Sequence, residues 1–114
     1  MTAEEYQAWS KSTARYPQSF VDQSMYVWDD YKPKTFPFYL CLGLAGECGE
    51  VIEVFKKFAR RNNTQLNQEE KEKAKLELGD LLWYYSQILT ELGMTFSEVM
   101  EANKHKLEER YAGK

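Results

Sequence analysis

The stretch Leu44-Ala-Gly-Glu47-Cys-Gly-Glu50-Val-Ile-Glu53-Val-Phe-Lys56-Lys57-Phe58 is echoed thirty residues on by Glu77-Leu-Gly-Asp80-Leu-Leu82. At about 100° per residue, Leu40, Leu44, Val51, Val54, Phe55 and Phe58 form one apolar helical stripe. Glu47 falls inside that stripe, and Glu50 lies at its edge one turn on. A second stripe holds Leu81, Tyr84, Tyr85, Ile88 and Leu92, with Glu77 inside it and Asp80 at the edge. A carboxylate turned toward a core requires a compensating partner, because an unpaired buried charge is strongly unfavourable. Two such i,i+3 pairs call for a shared partner. A divalent cation suits an all-oxygen donor set and points to Mg²⁺ or Mn²⁺. The competing reading is a solvated groove whose carboxylates are held by Lys57, Arg60 or Arg61.

Both stripes extend into long helices. The second helix is expected from Pro37 to about Arg61, where Asn62-Asn63 ends it. Asn67 and Glu70 form a capping box for the third, which runs from about Gln68 to Leu92, with Gly93 closing it. Thr2 with Glu5 opens a first helix that reaches toward Tyr16 before Pro17, with Tyr6, Trp9 and Thr13 on its face. Thr95 with Glu98 opens a fourth, ending near Ala112. The expected architecture is therefore all-α and four-helix bundle-like, with two long antiparallel central helices. Residues 1–114 are expected to form a single domain.

Residues 17–37 hold three prolines and eight large apolar or aromatic side chains without one clear period. That composition reads as a loop with a short helix at 22–28, covering the core or a neighbouring subunit or offering a ring to a nucleobase. Gly43, Gly46 and Gly49 recur every three residues in the second helix. Each costs roughly 1 kcal/mol relative to alanine there, so the row suggests close approach of a backbone or ligand. Trp83 projects from the edge of its stripe and suits a subunit interface as well as a core.

The composition bounds the function. Acidic residues outnumber basic ones, 18 to 15, for a net charge of -3. This disfavours a nucleic-acid partner held through phosphates. No apolar run spans a bilayer and no signal-peptide pattern opens the chain, so no membrane partner is expected and the location is taken as intracellular. Cys41 and Cys48 are two turns apart, about 10 Å of helix rise, too far for an internal disulfide. They read as small core residues. His105 has no ligand-spaced companion and belongs on the outer face of the last helix. There is no phosphate-binding G-x-x-x-x-G-K-[ST], no Ser-His-Asp or Cys-His set, and no Glu-x-x-His pair of the kind helical redox bundles use.

Two further groups bear on the site. Lys57, within the cluster Lys56, Lys57, Arg60, Arg61, lies closest to the Glu50 side of its helix and is the favoured phosphate contact. Asn103 interrupts the apolar stripe Phe96, Val99, Met100, Leu107, Tyr111 of the last helix, with Lys106 flanking it. The pair would either face the carboxylates and bind a polyanionic substrate, or satisfy a helix terminus and a glutamate.

At Gly46-Glu47-Cys-Gly-Glu50, Glu77-Leu-Gly-Asp80 and Asn103-Lys-His-Lys106 the chain resembles the MazG-type all-α nucleoside triphosphate pyrophosphohydrolases. Their signature is E-x-x-E, a spacer, then E-x-x-D, and the resemblance runs over residues 37–111. It implies hydrolysis of a (deoxy)nucleoside triphosphate between the α and β phosphates, giving the monophosphate and pyrophosphate. It also implies two or more Mg²⁺ or Mn²⁺ ions on Glu47, Glu50, Glu77 and Asp80, and assembly as a homodimer or a dimer of dimers. In that reading Glu47 or Glu50 also orients or deprotonates the attacking water, Lys57 and Lys106 hold phosphates, and Asn103 binds phosphate or a sugar hydroxyl. The compact single-domain forms occur in bacteria and their phages, implying the cytoplasm of a bacterial or infected cell. The alternatives are a hydrolase of the same fold for another phosphate compound (dUTPase-like, phosphoribosyl-ATP or alarmone-directed), or a catalytically silent helical binding module.

Overall fold

The computed structural model describes residues 1–15, 25–29, 32–61 and 65–112. Among them the chain forms four helices, α1 (Ala3–Ser12), α2 (Tyr39–Arg60), α3 (Gln68–Leu92) and α4 (Phe96–Tyr111). A hairpin of β1 (Met25–Asp29) and β2 (Lys32–Phe36) lies between α1 and α2.

Three of the helix starts follow the expected capping chemistry. The Thr2 hydroxyl accepts from the Glu5 amide at 3.1 Å while the Glu5 carboxylate accepts from the Thr2 amide, also at 3.1 Å. Asn67 and Glu70 make the same reciprocal pair at the start of α3, at 2.8 and 2.9 Å. Thr95 accepts from the Glu98 amide at 3.1 Å. The end of α3 is a Schellman turn: Gly93 has φ 72°, Met94 N donates to Leu89 O at 2.9 Å, and Gly93 N donates to Thr90 O at 3.1 Å. Only glycine adopts that backbone without cost, so the turn is written into the sequence.

Two local expectations are corrected. Helix α1 stops at Ser12 rather than reaching toward Tyr16. The hydroxyls of Ser10, Ser12 and Thr13 donate to the carbonyls of Gln7, Trp9 and Ser10 at 2.6 to 2.9 Å, and such local bonds compete with helix continuation. In place of the short helix at 22–28, β1 pairs antiparallel with β2, from Met25 opposite Phe36 to Asp29 opposite Lys32. The Met-Tyr-Val-Trp run has the bulky composition that favours strand, and Pro33 is tolerated because each strand of a two-stranded sheet has a free edge. The aromatics expected at 17–24 and at Tyr31, and the helix stop at Asn62-Asn63, lie outside the described residues.

α2 and α3 form an antiparallel pair. Arg61, capping α2, meets Glu70 in the first turn of α3 at 2.6 Å, while Gly43 near the start of α2 meets Tyr84 in the second half of α3. Leu40, Val54, Ala74 and Leu89 are buried on this pair, and Phe36 reaches the core from the end of β2. A polar seam joins α1 to α3. Ser10 and Ser86 share a hydrogen bond at 2.7 Å, and the Gln87 amide donates to Ser10 O at 2.5 Å, all three side chains being fully buried. Trp83 belongs to the same junction, its indole N–H donating to Thr13 at 2.9 Å.

Phe96 anchors α4 between Tyr6 and Tyr85, with ring centroids 6.5 and 5.3 Å away. Beyond this first turn α4 leaves the subunit, and residues 101–112 are all exposed. The radius of gyration is 17.4 Å, against about 13 Å for a compact globule of this length. Of the two free cysteines, Cys41 is half-buried and Cys48 exposed, which corrects the core placement of Cys48. His105 lies on the exposed face of α4 as expected, 3.3 Å from Glu109.

The α3 start generates a test. Asn67→Ala should lower stability by about 1 kcal/mol in urea denaturation. The bond from the Asn67 amide, followed by Arg61, holds the Glu70 carboxyl below its ordinary value of 4.5. Its contribution to stability is therefore present above 4.5 and lost as pH falls through the lowered value. Glu70→Gln should remove that acid-sensitive component from the urea midpoint measured against pH.

Candidate metal centre

Antiparallel packing places the middle of α2 opposite the middle of α3, and this assembles the carboxylates. Oxygens of Glu47, Glu77 and Asp80 lie within 4.8 Å of one another, Glu47 and Glu77 half-buried and Asp80 exposed. Asp80 and Glu77 are one turn apart on α3, so both reach the same side of the helix. Glu50 is exposed and stands outside this trio, yet its negative charge is felt at Glu47.

Electrostatics mark the trio as short of positive charge. The Glu47 carboxyl is held above the ordinary carboxylate range, first by burial and then by the negative charges of Asp80, Glu77 and Glu50. Among the described residues Arg60 pairs with Glu53 and Arg61 with Glu70, away from the trio. Of the cations in the solvated-groove alternative, Arg60 and Arg61 are thus engaged elsewhere. An all-oxygen, mutually repelling donor set at this separation fits a hard divalent cation.

Two tyrosines border the carboxylates, neither of which the sequence singles out as a site residue. Tyr84, one turn beyond Asp80, has its hydroxyl pKa raised by burial, by a hydrogen bond with Tyr39, and by the charges of Glu47 and Asp80. Tyr6 of α1 is raised by burial and by Asp80. The available signal was spacing, since Tyr84 follows Asp80 by four residues and Glu77 by seven.

The other sequence-derived residues are not brought to the trio within one chain. Lys57 follows Glu47 by ten residues, about 15 Å of helix rise, and lines a hollow of about 270 Å³ with Val54, Arg61, Asn67 and Lys73. Asn103 and Lys106 are exposed on the free length of α4. Of the glycine row, Gly43 alone has a close protein neighbour, and it is a side-chain ring rather than a backbone. Around Gly46, Gly49 and Gly79 an added Cβ would meet open space among the described residues.

Comparison with known proteins bears on the same segment. The profile of the MazG nucleotide pyrophosphohydrolase domain matches residues 38–113, which contain all of α2, α3 and α4. The chain is 36% identical over 72 residues to the Gene 37 protein of Mycobacterium phage L5, a match covering 63% of each, so it spans under two thirds of that relative's length. The crystal structure of iMazG from Vibrio DAT 722 is similar over 98% of this chain and 99% of the other, with a TM-score of 0.59 and 18% identity, a likeness of fold.

Charge repulsion at the trio has a measurable cost. A carboxyl whose folded pKa is raised contributes stability that is present below its ordinary value of 4.5 and lost as pH rises through the raised value. In metal-free buffer Glu47→Gln should therefore match the native chain in urea midpoint at low pH and exceed it increasingly toward neutrality.

Proposed function

We propose that this chain, which belongs to the MazG nucleotide pyrophosphohydrolase domain family, hydrolyses a (deoxy)nucleoside triphosphate between the α and β phosphates, releasing the monophosphate and pyrophosphate. The observation that carries this reading is the convergence of Glu47, Glu77 and Asp80 from two helices inside the family-matched segment. These three would hold Mg²⁺ or Mn²⁺, with Glu50 adding a fourth carboxylate from the rim. Two or more such ions would supply positive charge against the triphosphate and acidify a water.

The chain's own residues account for the remaining requirements. Glu47 is assigned to orient the attacking water or accept its proton. Glu50, nearer solvent, is the alternative acceptor. Lys57 and Lys106 are assigned to the phosphates and Asn103 to phosphate or a sugar hydroxyl.

The position of these three residues favours an assembled form. α4 presents Asn103 and Lys106 to whatever lies beside the subunit, along with the exposed Met100, Leu107 and Tyr111. Ile52 and Leu76, 63% and 70% exposed, leave apolar surface on α2 and α3 as well. A homodimer or dimer of dimers would cover such surface and bring cations from one copy toward the carboxylates of another. No helix among the described residues is long and apolar enough to cross a membrane.

The test is pyrophosphate release from separate ribo- and deoxynucleoside triphosphates with Mg²⁺ or Mn²⁺. The native chain should favour particular nucleotides and lose turnover reversibly on chelation. Of Glu47→Gln and Glu50→Gln, the variant that loses about 10²- to 10⁴-fold in rate while still binding Mn²⁺ as the native chain does identifies the proton acceptor. A folded native chain that binds Mn²⁺ and releases pyrophosphate from no nucleotide would overturn the reaction and redirect the search to other phosphate compounds.

A further inference from the structure

The antiparallel register that sets Glu47 opposite Asp80 sets Gly43 opposite Tyr84, one turn away on each helix. The Tyr84 ring lies directly against the α2 backbone at this point. A Cβ added at Gly43 would sit 2.5 Å from Tyr84 Cδ1 and closer still to Cε1 and Cζ. Those are atoms of a rigid ring, so either the ring or a helix would have to move.

The ring has little freedom to move. On α3 itself Trp83 meets it edge-on, with centroids 5.1 Å apart and planes at 87°, and Trp83 is in turn bonded to Thr13 at the end of α1. Tyr39, one turn before Gly43 on α2, lies close enough to the Tyr84 hydroxyl to raise its pKa. Tyr84 is thus held by its own helix, by α1 through Trp83, and by α2 at two successive turns. A single ring thickness between α2 and α3 lies next to carboxylates that come from both helices.

We propose that Tyr84 is a positioning residue, its ring seated on Gly43 as a spacer that sets the distance from Glu47 on α2 to Glu77 and Asp80 on α3, and with it the affinity of the trio for a divalent cation. This inference rests on the metal-centre reading above and adds a residue pair to it. The physical reason is tolerance. A hard cation such as Mg²⁺ accepts oxygens within a narrow range near 2.0 to 2.1 Å, whereas helix pairs pack over an interaxial range of about 8 to 10 Å according to the side chains between them. Three ligands divided between two helices therefore require something that selects one spacing. Gly43 matters because it lacks a side chain where the ring must lie. Its helix-propensity cost is the consequence of that fit.

The test is Mn²⁺ binding, followed through the electron paramagnetic resonance signal of the free ion, for the native chain, Gly43→Ala, Tyr84→Ala and the double variant. Helix content is checked by circular dichroism. Gly43→Ala should weaken Mn²⁺ binding by about tenfold or more, in the range typical of groups that support ligands without being ligands. In the Tyr84→Ala background the same methyl group should have no effect, since the ring it displaces is gone. A general effect of alanine on helix α2 would be equal in both backgrounds, and that outcome overturns the spacer. If Gly43→Ala does not fold, Tyr84→Ala decides alone: native Mn²⁺ affinity in that variant overturns the proposal, and a loss with helix content retained supports it. A native chain that binds no Mn²⁺ overturns the metal centre and the spacer together, whereas a native chain that binds and variants that bind equally overturn the spacer alone.

Discussion

Helices α2 and α3 can pack in one register only if the polar groups that fall on their shared face are accommodated, and this constraint runs through the whole molecule. Each helix carries its carboxylates among apolar residues, so the packing that buries Leu40, Val54, Ala74 and Leu89 also draws Glu47 toward Glu77 and Asp80. Hydrophobic burial drives the pair together, while the carboxylates oppose it through their mutual repulsion. The raised proton affinity of Glu47 comes first from its burial and then from the charges of Asp80, Glu77 and Glu50. A site that costs stability in the empty protein is a familiar sign of function, because packing alone would have selected apolar residues there.

The remaining contacts hold the pair in place against this repulsion. The Arg61–Glu70 ion pair closes one end of α2 onto α3, and the Tyr84 ring on Gly43 occupies the interface on the far side of the carboxylates. Ser10, Ser86 and Gln87 dock α1 across the back of α3 through buried hydrogen bonds, which specify one alignment more sharply than apolar contact does. Tyr6 and Trp83 extend that docking to the neighbourhood of Asp80 and Tyr84. Within this frame Glu47 and Glu77 are half-buried and Asp80 stays exposed.

Helix α4 follows a different logic. It is anchored by Phe96 between Tyr6 and Tyr85, and Glu4 accepts hydrogen bonds from the amide and hydroxyl of Ser97. After that turn its apolar side chains face solvent, and Met100 and Tyr111 are each about half exposed. An amphipathic helix that finds no core in its own subunit has its natural counterpart in another surface of the same kind. The sequence stripe of α4 thus looks like a core stripe although the single chain leaves much of it exposed.

By itself the sequence determined the four helices, three of their N-caps and the four carboxylates from which the acidic cluster is drawn. Those features are local: a capping box spans four residues, the Gly93 turn needs one left-handed backbone, and Glu77 and Asp80 share a face through helix geometry alone. The early stop of α1 and the β1–β2 hairpin were less legible, because serine hydroxyls competing for carbonyls and pairing between two short runs leave no lasting period to read. Tertiary structure alone decided which carboxylate stands apart, with Glu50 outside the trio, and that Lys57, Asn103 and Lys106 lie away from it within one chain. It also decided that Gly43, rather than Gly46 or Gly49, receives a neighbour. Each of these depends on the register and separation of two helices, and periodicity within one helix says which face a residue occupies but not how far away the facing residue is.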